Sequence, residues 1–272
     1  MSRLCRRFTE LRGEGRAALV CFITAGDGGM GLTLATMHAM VEAGADIIEL
    51  GVPFSDPMAD GPSVQLAGER ALAGGTRVAD VFKVVRDFRQ RDNATPIVLM
   101  GYLNPIEAQG AQAYASAASA AGVDGVIIVD LPPEEGEETF ATFKKHGIDP
   151  IMFVAPTTTQ ARMRMICDGA SGFIYLVSIK GVTGTRQADA GEVAVKAQQV
   201  RAVTDLPIAV GFGIKDRASA AAMAGSVDAV IVGSALVDRV GECVDDPQHA
   251  PGYVAQLVSE LRAGVEEARR DA

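Results

Sequence analysis

Eight short runs rich in Val, Ile and Phe, each five to seven residues long, constrain this chain more than any other feature. They cover residues 18–24, 46–52, 96–101, 125–129, 150–155, 172–178, 207–211 and 229–233. Most gaps between them hold one helix-length pattern, such as residues 33–43, 107–121, 134–146 and 192–203. Strand and helix in strict alternation imply parallel strands joined by right-handed crossovers. Such strands are buried on both faces, which is why the runs are continuously apolar rather than alternating. Eight repeats of this unit predict a closed (β/α)8 TIM barrel, with an open doubly wound sheet as the other arrangement the pattern allows.

Two segments depart from the plain repeat. Residues 4–11 read as a short added helix able to cap the barrel floor, and the gap between the second and third strands is long enough for an extra helix plus an acidic loop. Residues 240–251 fit no element and read as an insertion before a final helix over 253–269. No linker or change of composition divides the chain, so residues 1–272 are expected to form a single TIM-barrel domain.

Composition narrows the class of function. A net charge of −9 without a dense Lys/Arg cluster argues against nucleic acid or an anionic membrane as partner. No apolar run reaches the roughly 18 residues of a membrane helix. Arg3, Arg6 and Arg7 ahead of residues 17–23 have the outline of a secretion signal, but Glu10 and Glu14 interrupt it. Cys5, Cys21, Cys167 and Cys243 lack CxxC spacing and a histidine pattern, so neither disulfides nor a metal site are expected and a cytoplasmic location is.

The reactive groups that fall near carboxyl ends of strands are mostly carboxylates. His38 and His146 lie in helical patterns, His249 lies in a late loop, and no lysine falls within a strand run. Glu49 stands inside the second strand, Asp56 and Asp60 follow in the loop, and Asp130 ends the fourth. Alternation puts Ile47, Glu49 and Gly51 on one face. If that face is the barrel interior, burial raises the pKa of Glu49 and makes it a proton donor near neutrality. Asp60, on a more polar loop, is expected to stay ionised and accept. A purely structural glutamate, bonded to Tyr or backbone donors, and an Asp130 that only caps the next helix are the competing assignments.

Glycines after the last strands suggest a phosphate cradle: Gly211-Phe212-Gly213-Ile214 and Gly233-Ser234, with Gly181-Val182-Thr183-Gly184 as a lid. Phe22, Tyr102, Tyr175 and Phe212 lie at or near strand ends and would suit a flat aromatic substrate. Gly26-Asp27-Gly28-Gly29-Met30-Gly31 spells GxGxxG, but Asp27 would set a negative charge beside a pyrophosphate, so a glycine-rich turn is the reading adopted.

Taken in order, residues 49–57 with 59–62, 102–106, 130–132, 181–184, 211–214 and 233–234 resemble the tryptophan synthase alpha chain family along the whole chain. The resemblance implies a lyase of L-tryptophan biosynthesis that cleaves indole-3-glycerol phosphate to indole and glyceraldehyde 3-phosphate without a cofactor or metal. It implies a beta-chain partner in an alpha2beta2 heterotetramer. Glu49 and Asp60 match the catalytic pair. Phe22, Tyr175 and Phe212 match positions around the ring, and Gly184, Gly213, Gly233 and Ser234 the phosphate loops; Tyr102 and Thr183 are expected to bind substrate as well. Pro53, Asp56, Asn104 and Pro105 match the surface meeting the beta chain. Two departures stand out: Gly28-Gly29, which suggests a looser first loop, and Ile179-Lys180 before the lid. The alternatives are another phosphosugar barrel, an isomerase or epimerase, and a non-catalytic activating subunit.

Overall fold

A computed structural model describes residues 2–177, 190–211 and 213–268 of the chain. Its strands are β1 (Ala18–Thr24), β2 (Ile47–Gly51), β3 (Ile97–Gly101), β4 (Gly125–Ile128), β5 (Asp149–Pro150), β6 (Met152–Val154), β7 (Ile174–Val177), β8 (Ile208–Gly211) and β9 (Ala229–Val232). They form one parallel sheet ordered β5-β4-β3-β2-β1-β9-β8-β7-β6. The two ends of that order, β5 and β6, are halves of the fifth expected strand, interrupted at Ile151. The sheet therefore curls into the predicted barrel, one half-strand pairing with β4 and the other with β7.

Around the barrel lie α1 (Arg3–Gly13), α2 (Met30–Glu42), α3 (Pro62–Ala73), α4 (Val78–Arg89), α5 (Leu103–Gln109), α6 (Ala111–Ala121), α7 (Glu137–Lys145), α8 (Gln160–Gly169), α9 (Ala190–Arg201), α10 (Arg217–Ala224), α11 (Ser234–Gly241) and α12 (Ala250–Glu267). The long gap after β2 does hold one helix more than the repeat requires, α3 plus α4. The helix expected over 107–121 is corrected to two, α5 and α6, broken at Gly110, whose φ of 81° no helix can contain. Residues 240–251 are likewise resolved into the end of α11, a turn, a 3₁₀ segment (Pro247–His249) and the start of α12.

Strand alternation sorts the core into two shells. Leu19, Cys21, Ile48 and Leu50 face outward against the helices, while Val20, Ile47, Val98 and Ile231 face inward. Leu4, Phe8 and Leu11 of α1 join the inward set, so the added N-terminal helix plugs the floor. Aspartates then lock neighbouring strands at that end. Asp46 accepts from the Leu19 N–H at 2.8 Å, Asp124 from Ile97 at 2.9 Å and Asp228 from Ile208 at 3.0 Å. Arginines neutralise them: Arg7, Arg16 and Arg262 for Asp46, Arg3 and Arg89 for Asp124, and Arg201 for Asp228. With the floor closed and neutralised in this way, the opposite end is left for chemistry.

Candidate active site

Glu49 stands within β2 on the face it shares with inward-pointing Ile47. It is 1% exposed, paired in register with Phe22 on one side and Val98 on the other. Its Oε2 is buried and has no hydrogen-bond partner. A structural glutamate satisfied by Tyr or backbone donors would not leave that oxygen idle, because an unpaired buried acceptor is costly. Burial, reinforced by the charge of Asp60, pushes its pKa up to about 8. At neutral pH the group is therefore a carboxylic acid in an apolar channel, able to give up a proton.

Asp60 sits at the mouth of the same channel, one residue before Gly61, the N-cap of α3. The loop is held by the Asp60 N–H donating to the Pro57 carbonyl at 3.2 Å, and by Gln65 donating to the Asp60 carbonyl at 2.8 Å. Tyr102 fixes the side chain: its hydroxyl accepts from the Ala59 N–H at 3.2 Å and donates to the Asp60 carboxylate. Burial raises Asp60 to about 6 against that hydrogen bond, while burial takes Tyr102 to about 12 and keeps it a donor. Two carboxyls are thus set on either side of neutrality, as acid–base chemistry needs.

Phe22 connects the two ends of the site. Its ring lies so close to Gly51 that a Cβ there would come within 2.7 Å of it, and a Cβ on Gly233 would lie 3.7 Å from it. Tyr175 packs at 5.0 Å from Phe153 and presses its hydroxyl against Gly211, where a Cβ would fall 2.2 Å away. Tyr102 stacks on Phe54 at 5.1 Å. The cleft bounded by Phe22, Phe54, Tyr102 and Asp60 is completed by Thr24, Val52, Val64 and Met100. The sequence reading missed these four, although alternation from Phe22 to Thr24 and from Val98 to Met100 carried the signal for two of them.

On the other side of the mouth, Gly233 precedes α11 without a side-chain cap, so the first turn of that helix presents backbone N–H groups beside Ser234. Gly213 adopts a φ of 73° just after β8. Phe212, Thr183 and Gly184, together with Ile179-Lys180, lie outside the described residues. Asp56 and Asn104 are exposed, and Pro53 and Pro105 half-buried, on the same rim.

The structure decides one assignment the sequence left open and agrees with the glycine-rich turn. Asp130 does not cap the helix that follows it; it accepts from the Leu103 N–H at 2.8 Å and so ties the β4 loop to the start of α5. The GxGxxG stretch is a hydrogen-bonded turn in which Gly28 and Gly29 take φ of 74° and 99° and the Gly29 N–H donates to the Gly26 carbonyl. Asp27 within it is 4% exposed and bonded to Arg70, leaving no role for it beside a nucleotide.

Comparison with known proteins agrees with this geometry. A family model described as tryptophan synthase alpha chain matches residues 8–266. The tryptophan synthase alpha chain of Thioalkalivibrio sulfidiphilus is 53% identical over 266 residues, 98% of this chain and 100% of that relative. That of Dechloromonas aromatica is 50% identical over 270 residues, covering 99% of this chain and 100% of the relative. Among solved structures, tryptophan synthase subunit alpha from Legionella pneumophila str. Paris superposes with a TM-score of 0.90 at 41% identity, covering 98% of this chain and 99% of that one. A chain of tryptophan synthase from M. tuberculosis gives 0.88 at 36% identity, with full coverage of both.

Proposed function

The chain belongs to the tryptophan synthase alpha chain family, and we propose that Glu49 and Asp60 carry the family's lyase reaction, cleavage of indole-3-glycerol phosphate to indole and glyceraldehyde 3-phosphate. The buried carboxyl of Glu49, whose Oε2 has no hydrogen-bond partner among the described residues, close enough to the Tyr102-anchored carboxylate of Asp60 to feel its charge, is the observation that carries this assignment.

The chemistry follows from those two environments. Glu49 delivers its proton to carbon 3 of the indole ring, which breaks the aromaticity and leaves positive charge at the ring nitrogen. Asp60 accepts the ring N–H hydrogen bond and stabilises that charge as it forms. The carboxylate of Glu49 then takes the proton of the adjacent glycerol hydroxyl. As that O–H bond becomes a carbonyl, the bond from the glycerol carbon to ring carbon 3 breaks, and its electrons restore the aromatic ring. Glu49 ends as it began, protonated. Phe22 and Tyr175 supply apolar walls for the ring, and Gly213, Gly233 and Ser234 would receive the phosphate, with Phe212, Thr183 and Gly184 completing the two ends.

A phosphosugar isomerase or epimerase would have no use for an aromatic-walled cleft, and a merely activating subunit would need no idle buried acid. We place the protein in the cytoplasm, in an alpha2beta2 assembly with the beta chain, with Pro53, Asp56, Asn104 and Pro105 on the contacting rim. Supporting this, Met58 is 84% exposed and Leu72 36% exposed on the same surface as Asp56, apolar groups suited to a protein partner.

The test is turnover of indole-3-glycerol phosphate by the isolated chain. Glu49→Gln, which keeps shape but cannot give a proton, should abolish indole release while leaving substrate binding largely intact. Asp60→Asn should lose rate through a weaker acceptor. Normal turnover by Glu49→Gln would reject the assignment.

A further inference from the structure

Indole-3-glycerol phosphate is a long substrate whose two ends meet different elements of this barrel. Its ring faces Asp60 at the start of α3, and its phosphate faces Gly233 and Ser234 at the start of α11. Catalysis requires those two helix starts to hold a fixed spacing, because reacting groups displaced by about 1 Å can lose a factor of about 100 in rate.

One side chain joins the elements concerned. Arg70, in the third turn of α3, grips Asp27 in the loop after β1 with two parallel hydrogen bonds, Nε to Oδ1 and Nη2 to Oδ2, both 2.7 Å. Asp27 is 4% exposed, whereas Arg70 is 31% exposed on its side chain, so the bond is anchored from inside. The same guanidinium lies against α11: a Cβ on Gly241 would come within 3.3 Å of Nη2, and the charge of Asp238 acts on it. Beneath it, Phe22 of β1, Ala67 of α3 and Val237 of α11 form one buried apolar cluster. A planar two-pronged donor fixes direction as well as distance, which a lysine could not do.

We propose that Arg70, clamped by Asp27, is a positioning residue that sets the spacing between the ring end and the phosphate end of the active site. The proposal rests on the placement of substrate given above. It does not make Arg70 a catalytic residue, since the side chain touches neither carboxyl.

The experiment compares Arg70→Met, Asp27→Asn and the double variant with the parent chain. kcat/KM for indole-3-glycerol phosphate should fall about tenfold to a hundredfold in each, and the double variant should be no worse than the poorer single one. Indole alone and glyceraldehyde 3-phosphate alone, which each occupy one end, should bind with unchanged affinity. A loss of fold would instead weaken all three ligands together. Unchanged turnover, additive losses, or weakened binding of either product would overturn the proposal. Should Arg70→Met fail to fold, the near-isosteric Asp27→Asn carries the same comparison by itself. Asp60→Asn run alongside separates the two layers: if it is normal, the substrate placement fails, and if it is crippled while Arg70→Met is normal, only the positioning role fails.

Discussion

Glu49 and Asp60 are the same functional group made different by position. One is enclosed by strands, with burial and a neighbouring negative charge raising it to about 8. The other is half-buried and held by a phenol, and stands at about 6. A donor must be protonated and an acceptor ionised, so kcat/KM should rise with pH through about 6 and fall through about 8. Removing the lower group tests the sign: in Asp60→Asn the acidic limb should disappear from the residual activity. The basic limb should move to lower pH, because a neutral amide no longer raises Glu49. A pH–rate profile identical to the parent's would contradict both roles. At this scale the parity of β2 made it legible that Glu49 shares a face with Ile47 and Gly51, and the same parity linked Thr24 to Phe22 and Met100 to Val98. The bond between Asp27 and Arg70 was not legible, since only folding brings residues 43 positions apart into contact. The role of Asp130 stayed open for a related reason: its acceptor could serve the helix after it or a loop beside it, and only the fold set it against the Leu103 N–H.

Among elements, the floor of the barrel is held by aspartates that act across strands rather than within them. Asp46 shows how much hangs on one of them. Burial by itself would raise its pKa, but hydrogen bonds from Arg16 and the charges of Arg16 and Arg7 prevail and hold it below the ordinary carboxylate value. A group depressed in the folded state contributes stability that is present above its unfolded pKa and lost as pH falls through the folded one. Asp46→Ala would strand three arginines and the Leu19 N–H, and should cost about 3–5 kcal/mol by urea unfolding near neutral pH. Below the folded pKa the difference from the parent should shrink. Equal midpoints at pH 7 would show that the arginines find other partners. Strand positions were legible to within a residue or two because continuous apolar runs leave little choice of register. The break at Gly110 was not, since a lone glycine in an apolar helical pattern can be tolerated or can end the helix. Here α6 must turn to pack on α4 and α7.

The whole molecule presents two unlike ends: a plugged, arginine-neutralised floor and a rim of loops with acids, glycines and exposed apolar residues. The rim is where the partner chain is proposed to sit. Asp56→Arg, at an exposed position whose carboxylate accepts from the hydroxyl of its neighbour Ser55, should weaken association with the beta chain without altering turnover by the isolated alpha chain. Sedimentation of the mixed chains and an indole-release assay would check the two halves, and undiminished assembly would remove Asp56 from the interface. The order of eight apolar runs and intervening helical patterns was enough to determine parallel strands covered by helices, in a closed barrel or an open sheet, because strands buried on both faces can be covered in few ways. Alternation within β2 determined that Glu49 shares a face with Ile47. What the chain's order could not decide was which face became the interior, how β5 and β6 closed the ring, and how far apart the two helix starts at the rim would lie. Those depend on contacts between residues distant in sequence, and such contacts acquire definite distances and directions only when the sheet has curled shut and the helices have packed against it.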